Sequence, residues 1–173
     1  MKKKALILLL SAMLVLSSCG APGQTEIELV IPADFVGEQT QEDLNKTAEE
    51  HGFKSITLNE DGSATYVMTQ KQHEELMKEY KEQINNSLKE LIDSETYPNF
   101  TRIEANDNFT EFTITTKSTQ LDFNESFSVL AFYMYGGLYS VFSGEEAGNI
   151  SVTFINADSG EVIKTVNSSE MGQ

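Results

Sequence analysis

The chain has one cysteine, Cys19, among 173 residues. An internal disulfide and a metal site built from several thiolates are both excluded, so the fold must rest on its apolar core. Histidine is nearly as scarce. His51 and His73 are the only two, and neither sits in a His-x-x-x-His or Glu-x-x-His pattern that would place two ligands on one helical face. With so few histidines a hydrolase triad has little to draw on, and no serine lies in Gly-x-Ser-x-Gly or Ser-x-x-Lys. No Gly-x-Gly-x-x-Gly follows a strand, so a phosphate-cradling loop is missing as well. Basic residues are few, 12 against 27 acidic ones, for a net charge of −15. Such a surface repels nucleic acid and anionic headgroups and favours cationic or neutral partners. Proline is rare, at three residues, while 39% of the chain is apolar. That balance belongs to a folding domain and not to an unstructured tail.

No apolar run reaches the roughly 20 residues that cross a bilayer. The longest, Ala5 to Leu16, follows Lys2, Lys3 and Lys4, and a short apolar stretch behind a positive start reads as an export signal. Leu16-Ser17-Ser18-Cys19 then resembles the lipobox of bacterial lipoproteins. The resemblance implies cleavage after residue 18 and a diacylglycerol on the sulfur of Cys19; the competing reading is an ordinary secretory signal in which a cysteine happens to follow two serines. Residues 19–25 are expected to be the lipidated cysteine and a short linker, at most about 20 Å of extended chain. Once the three lysines leave with the signal, nine basic residues face the same 27 acidic ones and the net charge falls to −18.

Residues 26–173 are sized for one domain. Ile27, Leu29 and Ile31 alternate with less apolar neighbours before Pro32, the pattern of a short strand. Thr40 caps a helix that Gly52 is placed to end. Ile56–Leu58 and Ala64–Met68 flank Asn59-Glu60-Asp61-Gly62-Ser63, whose Asp-Gly marks a hairpin. Thr69 with Gln72 forms a capping box, and His73, Met77, Tyr80, Ile84, Leu88 and Leu91 recur at helical spacing to about Ser94. Phe100–Ala105 and Phe109–Lys117 predict a second hairpin, Ile150–Ile155 and Glu161–Val166 a third. The segment 124–142 is apolar all round, as in a buried helix. Its Gly136-Gly137 pair implies either a close backbone approach or a break. The turns fall near residues 62, 107 and 159, a spacing compatible with an internal repeat but unsupported by aligned identities.

The candidates for chemistry are thin. His51 fits the helix C-terminus beside Gly52, and His73 the inner stripe of the next helix. Asn59-Glu60-Asp61-Gly62 and Asp158-Ser159-Gly160-Glu161 gather oxygens, yet neither has the spacing of a calcium loop, and these residue types occupy tight turns for conformational reasons. The run Phe132-Tyr133-Met134-Tyr135, with Tyr139 and Phe142, supplies either a core or a contact surface. If one face is exposed, Tyr133 and Tyr139 are the first contact candidates.

Phrases such as Ile31-Pro32-Ala33-Asp34-Phe35, Tyr97-Pro98-Asn99-Phe100 and Ser168-Ser169-Glu170-Met171-Gly172 resemble a group of small acidic lipoproteins of Gram-positive bacteria. Some of that group are likened to the N-terminal region of streptococcal antigen I/II adhesins. The chain lacks the alanine-rich heptad stalk of those adhesins, so the resemblance implies no adhesin role and brings no catalytic or binding residues. The expectation is one α+β domain, an antiparallel or mixed sheet of hairpins with about three helices largely on one face, tethered to the outer side of the cell membrane through Cys19. Its expected role is that of a non-catalytic binding or accessory module for an envelope protein or an extracellular ligand, with no cofactor, no metal and no nucleic acid. The alternatives are an envelope enzyme using a carboxylate pair and a homodimer formed through the apolar helix 124–142.

Overall fold

The computed structural model describes residues 25–145 and 148–171. The expected signal, Cys19 and the linker up to residue 24 lie outside the described residues. Strand β1 (Glu26–Ile31) is followed by a single helical turn α1 (Ala33–Val36), helix α2 (Gln41–His51), and the hairpin β2 (Ser55–Leu58) and β3 (Ala64–Thr69). Helix α3 (Gln70–Leu91) leads to the hairpin β4 (Phe100–Ala105) and β5 (Glu111–Thr116). Helices α4 (Phe123–Phe127) and α5 (Val129–Ser143) precede the last hairpin, β6 (Ser151–Asn156) and β7 (Val162–Asn167), and a 3-10 turn at Ser168–Glu170.

The fold is α+β, and its strands form two sheets instead of one. The first has the order β1-β3-β2 and is antiparallel; the second has the order β4-β5-β6-β7, with β5 and β6 parallel. Both features follow from chain geometry. β3 runs directly into α3, whose 22 residues span about 33 Å at 1.5 Å per residue, and this carries the second hairpin beyond the edge of the first sheet. Between β5 and β6 the chain passes through α4 and α5, a helical crossover of the kind that parallel neighbours require.

Each hairpin buries one face. Leu29 and Ile31 of β1, Ile56 of β2, and Ala64 and Met68 of β3 pack with Val36, Leu44 and Ala48 into one core. Phe100, Phe112, Ile114, Val152 and Phe154 pack with Ile84, Leu88, Phe132 and Phe109 into a second. α3 and α5 serve both: Leu76, Val141 and Phe142 lie against the first core, while Ile84, Leu88, Phe132 and Tyr133 belong to the second.

The predicted helix 124–142 is divided at Ser128, which caps α4 and opens α5. Gly136-Gly137 lies within α5 without interrupting it. The reason for Gly136 is close approach: a Cβ there would be driven into the Phe109 carbonyl oxygen and would stand 2.8 Å from Ile150 Cδ1. Phe109 itself turns the chain with a left-handed φ of 55°, a conformation that costs a bulky residue about 1–2 kcal/mol. Complete burial of its ring offsets that cost.

Candidate functional site

Four aromatic rings from different parts of the chain converge where α2, β3, α3 and the end of α5 meet. Gly52 ends α2 in the left-handed conformation with φ 65°, and Phe53 N–H donates back to Ala48 O at 2.8 Å, which turns the Phe53 ring under the helix. Tyr66 shares the inward face of β3 with Ala64 and Met68 by strand alternation. Tyr80 follows Leu76 by one helical turn on the inner stripe of α3. Phe142 lies in the last turn of α5, and its carbonyl accepts a 2.8 Å hydrogen bond from His73 Nε2 of α3. Because a carbonyl can only accept, that nitrogen carries the proton.

The rings form a corner. Tyr80 stacks on Phe142 with centroids 4.7 Å apart, and Tyr66 stands at 88° to Phe142. Phe53 meets Tyr66 at 64°, and His51 stacks on Phe53 at 5.3 Å. Together with Thr47, Leu76, Glu79 and Gln83 these residues line a cavity of about 170 Å³. Each of the four rings is only half-buried, so part of its surface remains open. Burial raises the hydroxyl pKa of Tyr66 and of Tyr80, the latter also through its proximity to Tyr66. Among the described residues Glu79 is the one carboxylate in the lining and enters no ion pair. A shallower depression beside the cavity adds Glu75, which pairs with Lys71 at 3.5 Å.

No protein-family model, curated protein or solved structure matches the chain. The site is therefore read from its residues alone. An aromatic corner with one carboxylate at its edge offers ring faces, two neutral hydroxyls and one negative charge. It suits binding of a small organic group.

The two tyrosines singled out in the sequence lie elsewhere. Tyr133 is 9% exposed and belongs to the second core. Tyr139 is half-buried, its ring edge-on to Phe109 at 4.9 Å. The exposed face of α4 and α5 is carried by Phe123, Phe127, Leu130 and Met134, at 73, 55, 44 and 54% exposure. Their spacing of four, three and four residues makes one apolar stripe. His51 is exposed at the end of α2, as its position beside Gly52 implies, and it also reaches the cavity.

In the two turns weighed as calcium loops, Asp61 and Ser159 accept from backbone N–H groups of their own turn, Ser159 Oγ from Glu161 N–H at 3.2 Å. Asp61 Oδ1 accepts from Ser63 N–H at 3.0 Å and from Ser63 Oγ at 2.6 Å, which holds its carboxyl below the usual pKa. Asn156 Oδ1 accepts from the N–H groups of Asp158 and Ser159. Among the described residues no three or more His, Cys, Asp or Glu side chains gather as a metal site. The buried carboxylate that sequence reasoning missed is Glu125, 2% exposed. Its Oε1 accepts from Thr116 Oγ1 at 2.8 Å and Ser118 Oγ at 2.9 Å, and its Oε2 from Asp122 N–H at 3.0 Å. Asp122 Oδ1 in turn accepts from Glu125 N–H at 2.8 Å, completing a capping box. The signal was legible as Asp-x-x-Glu ahead of an apolar run. This carboxylate clamps α4 to the end of β5.

Proposed function

We propose that the chain is a lipid-anchored module on the outer side of the cell membrane which binds a small ligand without transforming it. The observation that carries the binding part is the half-open aromatic corner of Phe53, Tyr66, Tyr80 and Phe142. What sets these four rings apart is convergence: they come from four stretches of chain and line one cavity, the concave, aromatic-rich setting in which small ligands bind. The anchoring part rests on the lipobox-like Leu16-Ser17-Ser18-Cys19.

Two measurements on the full chain test the reading. Intact mass of membrane-extracted protein should match residues 19–173 plus a diacylglycerol group and lose that increment in Cys19→Ala; an unlipidated or uncleaved product would remove the anchor. An NMR screen with neutral, anionic and cationic fragments should move resonances of Phe53, Tyr66, Tyr80 and Phe142 together. Shifts scattered over the surface, or none, would remove the binding site.

A second reading, a homodimer through α4 and α5, is favoured by the exposed stripe Phe123, Phe127, Leu130 and Met134. Size-exclusion chromatography with light scattering should then show a dimer that Leu130→Glu converts to monomer. Monomer alone at high concentration would dispose of it.

A further inference from the structure

We infer that the aromatic corner recognises a compact organic cation, a quaternary or tertiary ammonium group, with Glu79 as its counter-charge. This inference rests on the binding reading above and names the ligand class for the same cavity. The faces of phenyl and phenol rings carry the negative part of their quadrupole, and a cation within about 6 Å of a ring centroid is attracted to it, most strongly where water is excluded. The four rings line one cavity at different inclinations, 88° between Tyr66 and Phe142 and 64° between Phe53 and Tyr66; one face of Phe142 is stacked on Tyr80 and one of Phe53 on His51, so the ring surface a cation would meet is what these stacks leave open.

The charges agree. Among the described residues neither lysine nor arginine lines the cavity; Glu79 does, beside the imidazole of His51. The lysine nearest in sequence, Lys78, pairs with Glu82 at 4.0 Å. Lys71 is taken up by Glu75. The negative charge of Glu79 is therefore not cancelled by an ion pair within the described residues, and the surplus of acidic residues over the whole chain adds attraction for a cation at longer range. An anionic ligand would meet repulsion from both. Size agrees as well: about 170 Å³ corresponds to about five or six waters at ~30 Å³ each, room for a methylated ammonium head and not for a large metabolite. The head could come from a free molecule or from a lipid headgroup. The two differ in the phosphate that accompanies the lipid form, which Glu79 would oppose, so the inference commits to a cation without an adjacent phosphate.

The test compares choline with its uncharged isostere 3,3-dimethylbutan-1-ol and with phosphocholine, titrated into the full chain in a non-ionic detergent. Binding is followed by tyrosine fluorescence, since the chain contains no tryptophan, and by NMR. Choline should bind saturably, at least about tenfold more tightly than the neutral alcohol and more tightly than phosphocholine. Glu79→Gln, a change at an exposed position, should weaken choline several-fold and leave the alcohol unaffected. Tyr80→Leu should weaken choline further, with an unchanged circular dichroism spectrum confirming the fold. Equal affinity for choline and the alcohol would overturn the cation inference while leaving a ligand site in place. Tighter binding of phosphocholine would overturn the role given to Glu79. Failure of all three to bind, together with a negative fragment screen, would overturn the inference and the binding reading alike.

Discussion

At the scale of single residues, Glu125 shows how a buried charge is made tolerable. A carboxylate 2% exposed is costly unless every oxygen has donors, and Thr116, Ser118 and the Asp122 amide supply three. Replacing it by alanine leaves those donors without their acceptor in a buried position, at a cost of roughly 2–4 kcal/mol. Glutamine retains an oxygen for the two hydroxyls but sets an NH2 group against the Asp122 N–H, so Glu125→Gln should cost less than the alanine and still destabilise. Urea unfolding of both variants orders them; an alanine variant within about 0.5 kcal/mol of the parent would show that the clamp does not hold α4. The contrast with Glu79 is instructive. Both oxygens of Glu125 are engaged inside the fold, by three donors, whereas Glu79 stands at the rim of a cavity with no ion pair among the described residues, which is why the second and not the first is a candidate for recognising something else.

At the scale of elements, α5 depends on two adjacent glycines that do different things. Gly136 lets the helix backbone sit against the Phe109 carbonyl and Ile150, whereas a Cβ at Gly137 would meet nothing within 4 Å. Gly136→Ala should therefore destabilise by roughly 1–3 kcal/mol through overpacking, and Gly137→Ala should stabilise by about 0.5–1 kcal/mol through helix propensity. Thermal melts of the pair would move in opposite directions. A common direction would refute the close approach. The sequence posed this pair as either a contact or a break, and only the tertiary neighbour decides. Much else about the elements could be read locally: the capping boxes at Thr40 and Thr69, the left-handed end at Gly52, and all three hairpins rest on residues within a few positions of one another. What could not be read was which strands meet across long connections. The split into two sheets depends on where a 33 Å helix sets down the next hairpin, and the parallel pair on a crossover. The aromatic corner was illegible for the same reason, because Phe53, Tyr66, Tyr80 and Phe142 come from four stretches of chain whose local patterns read only as strand, helix and core.

At the scale of the whole molecule, two cores share two helices. α3 sends Leu76 toward the first core and Ile84 and Leu88 into the second, and α5 divides Phe142 and Phe132 in the same way. If either sheet came apart, both helices would lose one of the faces that hold them, and a helix stripped of part of its tertiary packing is marginal in water. The two halves are therefore expected to unfold together. Far-UV circular dichroism and tyrosine fluorescence should give coincident urea transitions, the signature of two-state behaviour. Leu44→Ala in the first core and Phe154→Leu in the second, each buried completely, should both lower that single midpoint, the alanine by roughly 2–5 kcal/mol of stability. Two separable transitions, with Leu44→Ala moving only one of them, would mean that the sheets are independent units. The cavity lies beside the first core, against which its lining residues Phe53, Tyr66, Leu76 and Phe142 pack. A ligand that binds only the folded chain stabilises the whole cooperative unit, so choline bound there should raise the common midpoint in proportion to its occupancy. Tyr80→Leu should lose that shift while retaining a single transition.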